Sequence, residues 1–152
     1  MKHGMNMDQF RRVKAQASMV LDLRREAEAV LARRPLRTFD GFGHFLDAVL
    51  REDRERTSAL ARTVRLPLNT IDQLRASELD PFAGPLEEIA YLGYLLGIAC
   101  ADFVRLASTD HGRFARHATT VLARSGVGAA SEAPERIERL WTRFEEDQAT
   151  AL

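Results

Sequence analysis

Apolar residues recur along this chain at intervals of three and four, the spacing that gathers side chains on one face of an α-helix. No stretch alternates apolar and polar residues long enough to predict a strand. The pattern predicts one long helix over Asp8–Arg34, with an acidic residue at its start and Pro35 as its stop, after a loose tail over Met1–Met7. Its apolar positions are Phe10, Val13, Ala17, Val20, Ala27 and Leu31, a seam interrupted by Arg24. Thr38–Gly43 reads as a turn, followed by a helix over Phe42–Arg51 with Phe42, Phe45, Leu46 and Val49 inward. The run Arg51–Arg56 alternates in charge sign and reads as a solvated helix end.

Thr57–Ser77 reads as two short helices around a tight turn. Ser58–Val64 carries Leu60, Ala61 and Val64 on one face, with Thr57 or Ser58 as the cap. Pro67 lacks an N–H and restricts Leu66, so the first helix ends there. A second helix starts near Leu68, with Ile71 and Leu74 inward and Leu68, Asn69, Asp72, Gln73 and Arg75 outward. Leu79–Pro85 is a loop. Leu86–Leu96 is a helix with Leu86, Ile89, Leu92 and Leu96 on one face, closed by Gly97. A short helix over Ala101–Leu106 follows, then an amphipathic one over Asp110–Arg124 with Phe114, Ala118, Val121 and Leu122 inward. Ser125–Ala130 reads as a flexible break before a last helix over Pro134–Gln148, whose Ile137, Leu140, Trp141 and Phe144 need a surface to cover them.

The central pair, with the residues after it, resembles the lambda-repressor/Cro-like helix-turn-helix family of the XRE type, over about residues 42–107. The resemblance rests on Ala61, on Leu66 before the turn, on the spacing of Ile71 and Leu74, on Leu95-Leu96-Gly97-Ile98, and on the short segment Ala101–Leu106. Arg65 and Ser77 stand where the family has glycines, and the loop Glu78–Pro85 is a few residues longer. The resemblance implies an all-α fold, a lambda-repressor-like bundle with extra N- and C-terminal helices. It divides the chain into a basic extension (1–41), the helix-turn-helix domain (42–107) and a C-terminal helical extension (108–152). It also implies that the recognition helix reads double-stranded DNA through Leu68, Asn69 and Gln73. Asparagine and glutamine pair with adenine edges, and Leu68 suits a thymine methyl. Thr57, Arg62, Arg65 and Arg75 are expected near phosphates, and Asp72 lies in the same exposed face.

Charge qualifies this picture. The chain of 152 residues has 22 basic and 22 acidic side chains, against strong nonspecific attraction to DNA. Residues 1–41 hold nine basic and five acidic, whereas 42–107 hold seven and ten. Phosphate contacts must therefore come from local placement of a few arginines, with the basic N-terminal segment as a further source.

Enzymatic chemistry is not expected. The four histidines form no pair at metal-ligand spacing and Cys100 has no cysteine partner, so neither metal nor cofactor is expected. Asp110-His111 is adjacent in sequence, which seldom lets two side chains face each other. Cys100 cannot form an internal disulfide, and the longest apolar run, Ile89–Ala101, is too short to span a bilayer; a cytoplasmic protein is expected. Two functions compete: a sequence-specific DNA-binding transcriptional regulator acting as a homodimer, and a protein-binding adaptor or antitoxin-like subunit that keeps the fold without reading DNA. The acidic module and Asp72 favour the second. The dimer contact is expected on the Asp8–Arg34 helix or on Ile137–Phe144.

Overall fold

The computed structural model describes residues 7–117 and 120–151, with the backbone alone for residues 13, 117, 120–131 and 150–151. Among them the fold is all-helical. In chain order the helices are α1 (Met7–Arg33), α2 (Phe42–Leu50), α3 (Arg54–Val64), α4 (Leu68–Arg75), α5 (Leu86–Leu95), α6 (Cys100–His117) and α7 (Thr120–Ala151), with a 3₁₀ turn at Leu36–Thr38. No helix is long and apolar enough to cross a membrane among the described residues.

Helix α2 is the hub. Phe42, Phe45, Leu46, Val49 and Leu50 are fully buried, so nearly every turn of this short helix carries core. Gly43 makes room beside it: a Cβ there would lie 1.9 Å from the backbone oxygen of Leu74, so only glycine lets the C-terminal turn of α4 come this close. Ile71 and Leu74 of α4 join the core with Leu60, Ala61 and Val64 of α3. Leu86, Ile89 and Leu92 of α5 and Phe103 and Leu106 of α6 belong to the same core. The rings of Phe42 and Phe103 meet edge to face, centroids 4.9 Å apart.

Both terminal extensions join this same core. α1 contributes Leu23, Ala27 and Val30, and α7 contributes Ile137, Trp141 and Phe144. The Trp141 and Phe144 rings lie on Tyr94, Tyr91 and Phe103, so α5 and α6 supply the cover that this apolar face needs. In α1 the buried positions are Leu23, Ala27 and Val30 rather than the full predicted seam; Phe10 is 52% exposed and Ala17 is also in solvent. The side chain of Val13 lies outside the described residues, as does the tail over residues 1–6.

Three boundaries differ from the sequence expectation. The run Arg51–Arg56 does not extend α2: Arg51 takes a positive φ of 53° and Asp53 starts a new helix, accepting the N–H of Arg56 at 2.9 Å. An acid that reaches its own helix's free N–H groups outcompetes the hydroxyl residues further on. The expected segments Ala101–Leu106 and Asp110–Arg124 begin as one helix, because Phe103, Leu106, Ala107 and Asp110 continue a single buried stripe with no glycine or proline between them. Finally, the backbone of Ser125–Ala130 is helical and Pro134 lies inside α7. Glycine costs a helix only about 1 kcal/mol per residue, so two glycines beside alanines need not break it. The side chains of Ala118, Val121 and Leu122 lie outside the described residues.

Candidate nucleic-acid interface

Helices α3 and α4 meet at the turn Arg65-Leu66-Pro67. Arg65 adopts the left-handed conformation, φ 61° and ψ 43°, which turns the chain out of α3. The N–H of Leu66 then donates to Ala61 O at 3.0 Å, and Leu66 is buried. Pro67 presets the entry to α4: its carbonyl accepts from Thr70 and Ile71 N–H at 3.0 and 3.3 Å. At the other end of α4 Ser77 takes a φ of 58°. Both positions that the resemblance marks for glycine thus use left-handed backbone, here held by non-glycine residues at a cost of about 1–2 kcal/mol each.

With Ile71 and Leu74 anchored in the core, Asn69 and Gln73 stand one helical turn apart in solvent. Neither side chain has a hydrogen-bond partner among the described residues. Leu68 is half-buried and packs on the core edge. Arg62 and Arg65 are exposed and have no ion-pair partner among the described residues.

The remaining candidates are occupied. Thr57 is fully buried within α3, neither a cap nor a surface hydroxyl; its Oγ1 donates to Asp53 O at 2.8 Å and accepts from Arg75 at 3.4 Å. Arg75 folds back over α2, pairing with Asp47 at 2.9 Å and donating to Arg51 O, with only 13% of its side chain exposed. Asp72 is bound by Arg54 at 2.9 Å. That hydrogen bond holds the Asp72 carboxyl below the usual carboxylate range and raises the Arg54 guanidinium. The predicted set therefore splits. Arg62, Arg65, Asn69 and Gln73 face solvent with no partner among the described residues, Leu68 packs on the core edge, and Thr57, Asp72 and Arg75 belong to an internal network. Sequence reading missed Arg54 and Asp47, which complete that network from 18 and 28 residues away. Neither separation carries a helical-spacing signal.

On the flank of α3 a cleft of about 640 Å³ opens between α1, α5 and α7, walled by Arg24, Arg65, Glu88, Tyr91 and Tyr94. Tyr91 and Tyr94 are stacked, centroids 6.4 Å apart, and Arg24 Nε donates to Leu95 O at 3.0 Å. Two other groups that sequence alone could pair go separate ways. Asp110 turns to the N-terminus of α2, whereas His111 Nδ1 lies 2.7 Å from Asp80 Oδ2. Burial, with Glu138 and Glu145 nearby, keeps the Cys100 thiol above its usual range, which disfavours the reactive thiolate. Among the described residues no cluster of three or more His, Cys, Asp or Glu is placed to hold a metal ion.

Comparison of the chain with protein-family models, curated proteins and solved structures found no match.

Proposed function

We propose that this protein is a sequence-specific DNA-binding transcriptional regulator of lambda-repressor-like arrangement, acting as a dimer. One observation carries the reading. The outer edge of α4 presents two amides, Asn69 and Gln73, with no hydrogen-bond partner among the described residues, and Arg62 of α3 and Arg65 of the turn before α4 are exposed with no ion-pair partner among them. A neutral amide adds no attraction to phosphate, so its use at such an edge is base discrimination. The arginines would hold the phosphates on either side of the groove.

The charge available is small, and this makes the proposal quantitative. Two such arginines per protomer neutralise about four phosphates in a dimer, giving a salt slope of about −3.6 in log K against log salt. The test is fluorescence anisotropy of the full chain on duplexes selected from genomic fragments, and on scrambled duplexes, over a salt series. Asn69→Ala with Gln73→Ala should erase the preference for the selected duplex, each lost bidentate contact costing about 1–3 kcal/mol. Arg62→Ala should weaken binding to all duplexes and flatten the slope by about 2 per dimer. Wild type that binds no duplex at low salt ends the proposal.

A second reading has its own support. Arg51, Arg54 and Arg75 are paired with Glu26, Asp72 and Asp47, while Glu52, Glu55 and Glu78 remain exposed nearby. Such a surface suits a basic protein partner, as an adaptor or antitoxin-like subunit would need. A chain that ignores DNA but whose binding to a basic partner is lost with Glu52→Lys and Glu55→Lys would establish it.

A further inference from the structure

We propose that the cleft between α1, α3, α5 and α7 binds a small aromatic carboxylate, its charge held by Arg24 and its ring laid on Tyr91 and Tyr94. The site is independent of the DNA reading above. At about 640 Å³ the cleft lies within the roughly 300–1,000 Å³ of small-molecule sites. Such sites join an apolar lining to a few placed polar groups. Val20, Val64, Leu95 and Phe144 supply the lining together with the two tyrosines. The tyrosine rings are half-buried and lie 15° from parallel, one turn apart on α5, so they form a single aromatic wall.

Arg24 is the placed polar group. Its stem passes over Gly97, just beyond α5, where a Cβ would stand 3.8 Å from Arg24 Cγ. Its Nε donates to Leu95 O, a carbonyl at the C-terminal end of α5, at 3.0 Å. Those two contacts fix the guanidinium at the negative end of the α5 dipole. The terminal nitrogens of the fork remain, and Arg24 has no ion-pair partner among the described residues. Their paired N–H groups match the two oxygens of a carboxylate. Arg65, on the α3 side of the cleft, is a second exposed cation without an ion-pair partner among the described residues. The acids that face the cleft are Glu87, Glu88 and Asp147. Glu87 is bound by Arg143, and Asp147 already interacts within the protein. Glu88 stands two turns before Leu95, about 10 Å down the α5 axis, with Tyr91 between. A ring on the tyrosine wall can thus set its carboxylate at Arg24 and away from Glu88.

The test is titration calorimetry of the full chain, without DNA, with naphthalene-2-acetate as the probe. Wild type should bind it saturably, with a dissociation constant below about 1 mM. The neutral naphthalene-2-acetamide has the same shape but no charge, and should bind about tenfold or more weakly. Arg24→Gln should lose that factor for the acid and leave the amide's affinity unchanged, which separates the charge from the ring surface. Tyr91→Ala should weaken both probes. Thermal melts establish that each variant is folded. If Arg24→Gln does not fold, Arg24→Lys, which keeps the charge but not the fork, should still weaken the acid relative to the amide. A wild type that binds neither probe overturns the proposal. So does equal binding of acid and amide, an acid whose affinity survives the Arg24 substitutions, or affinities that Tyr91→Ala leaves unchanged.

Discussion

Asp110, on α6, caps the N-terminus of α2 by accepting the backbone N–H of Gly43 at 3.1 Å across 67 residues of chain. The first N–H groups of a helix have no partner within it, and a carboxylate there meets both free donors and the positive end of the helix dipole. Arg113, one turn further along α6, holds the other carboxylate oxygen at 2.9 Å and also binds Asp40 through its side chain and its backbone oxygen. One buried acid thus joins α6 to the hub helix on which α4 packs.

The cap predicts a pH dependence. Burial pushes the Asp110 carboxyl above its usual value of 3.8, outweighing the Gly43 N–H and Arg113, which pull it down. Folding therefore favours the protonated form. This carboxyl's contribution to stability is complete below the unfolded value near 3.8 and is lost as pH rises through the higher folded value. The melting temperature of the wild type minus that of Asp110→Asn should accordingly fall with rising pH above about 4, whatever the absolute difference. A difference that grows with pH would show that the Arg113 pair, not burial, dominates.

Gly41 is the companion of this cap. Its φ is 112°, and a Cβ there would lie 2.2 Å from Asp110 Oδ1. Gly41→Ala should destabilise the protein by about 1–3 kcal/mol in urea unfolding, from backbone strain alone. The displaced carboxylate adds to this, so combining Gly41→Ala with Asp110→Asn should cost less than the sum of the two.

On the regulator reading, the Arg54–Asp72 pair bears on DNA binding more than on folding. It is exposed, and pairs of that kind add little stability. On the regulator reading, Asp72→Asn removes an anion from the α4 face and frees Arg54. Affinity for all duplexes should rise, and the salt slope should steepen by about 2 per dimer, measured by anisotropy. The melting temperature should scarcely move. Unchanged binding would place the α3 N-terminus away from the phosphates.

Core and turn can be separated by two substitutions. Leu74→Ala truncates a side chain that is 1% exposed and should cost about 2–5 kcal/mol in urea unfolding. Arg65→Gly relieves left-handed backbone and should stabilise by up to about 1 kcal/mol, after the greater freedom of glycine in the unfolded chain is subtracted. It also removes an exposed cation, so on the regulator reading the more stable variant should bind DNA more weakly.

The sequence by itself determined that the chain is helical and which faces of α2, α4 and α5 turn inward, but not the seam of α1 or the boundaries of α3, α6 and α7. Phe42, Phe45, Ile71, Leu74, Ile89 and Leu92 were all legible as core, because a period near 3.6 is imposed locally by the backbone. The turn at Pro67 was legible for the same reason, since proline acts on its own and the preceding residue. Only the tertiary structure decided what those faces meet. Trp141 and Phe144 announced a need for cover, but their partners Tyr91, Tyr94 and Phe103 are set by how α5 and α6 pack, not by spacing. The candidate site divided on the same line. Exposure of Asn69 and Gln73 follows from the helical period once Ile71 and Leu74 are inward. The loss of Thr57, Asp72 and Arg75 to an internal network could not be read, because Arg54 and Asp47 reach them from other helices. A charge is free or spent according to what stands within a few ångströms, and separation along the chain does not specify that distance.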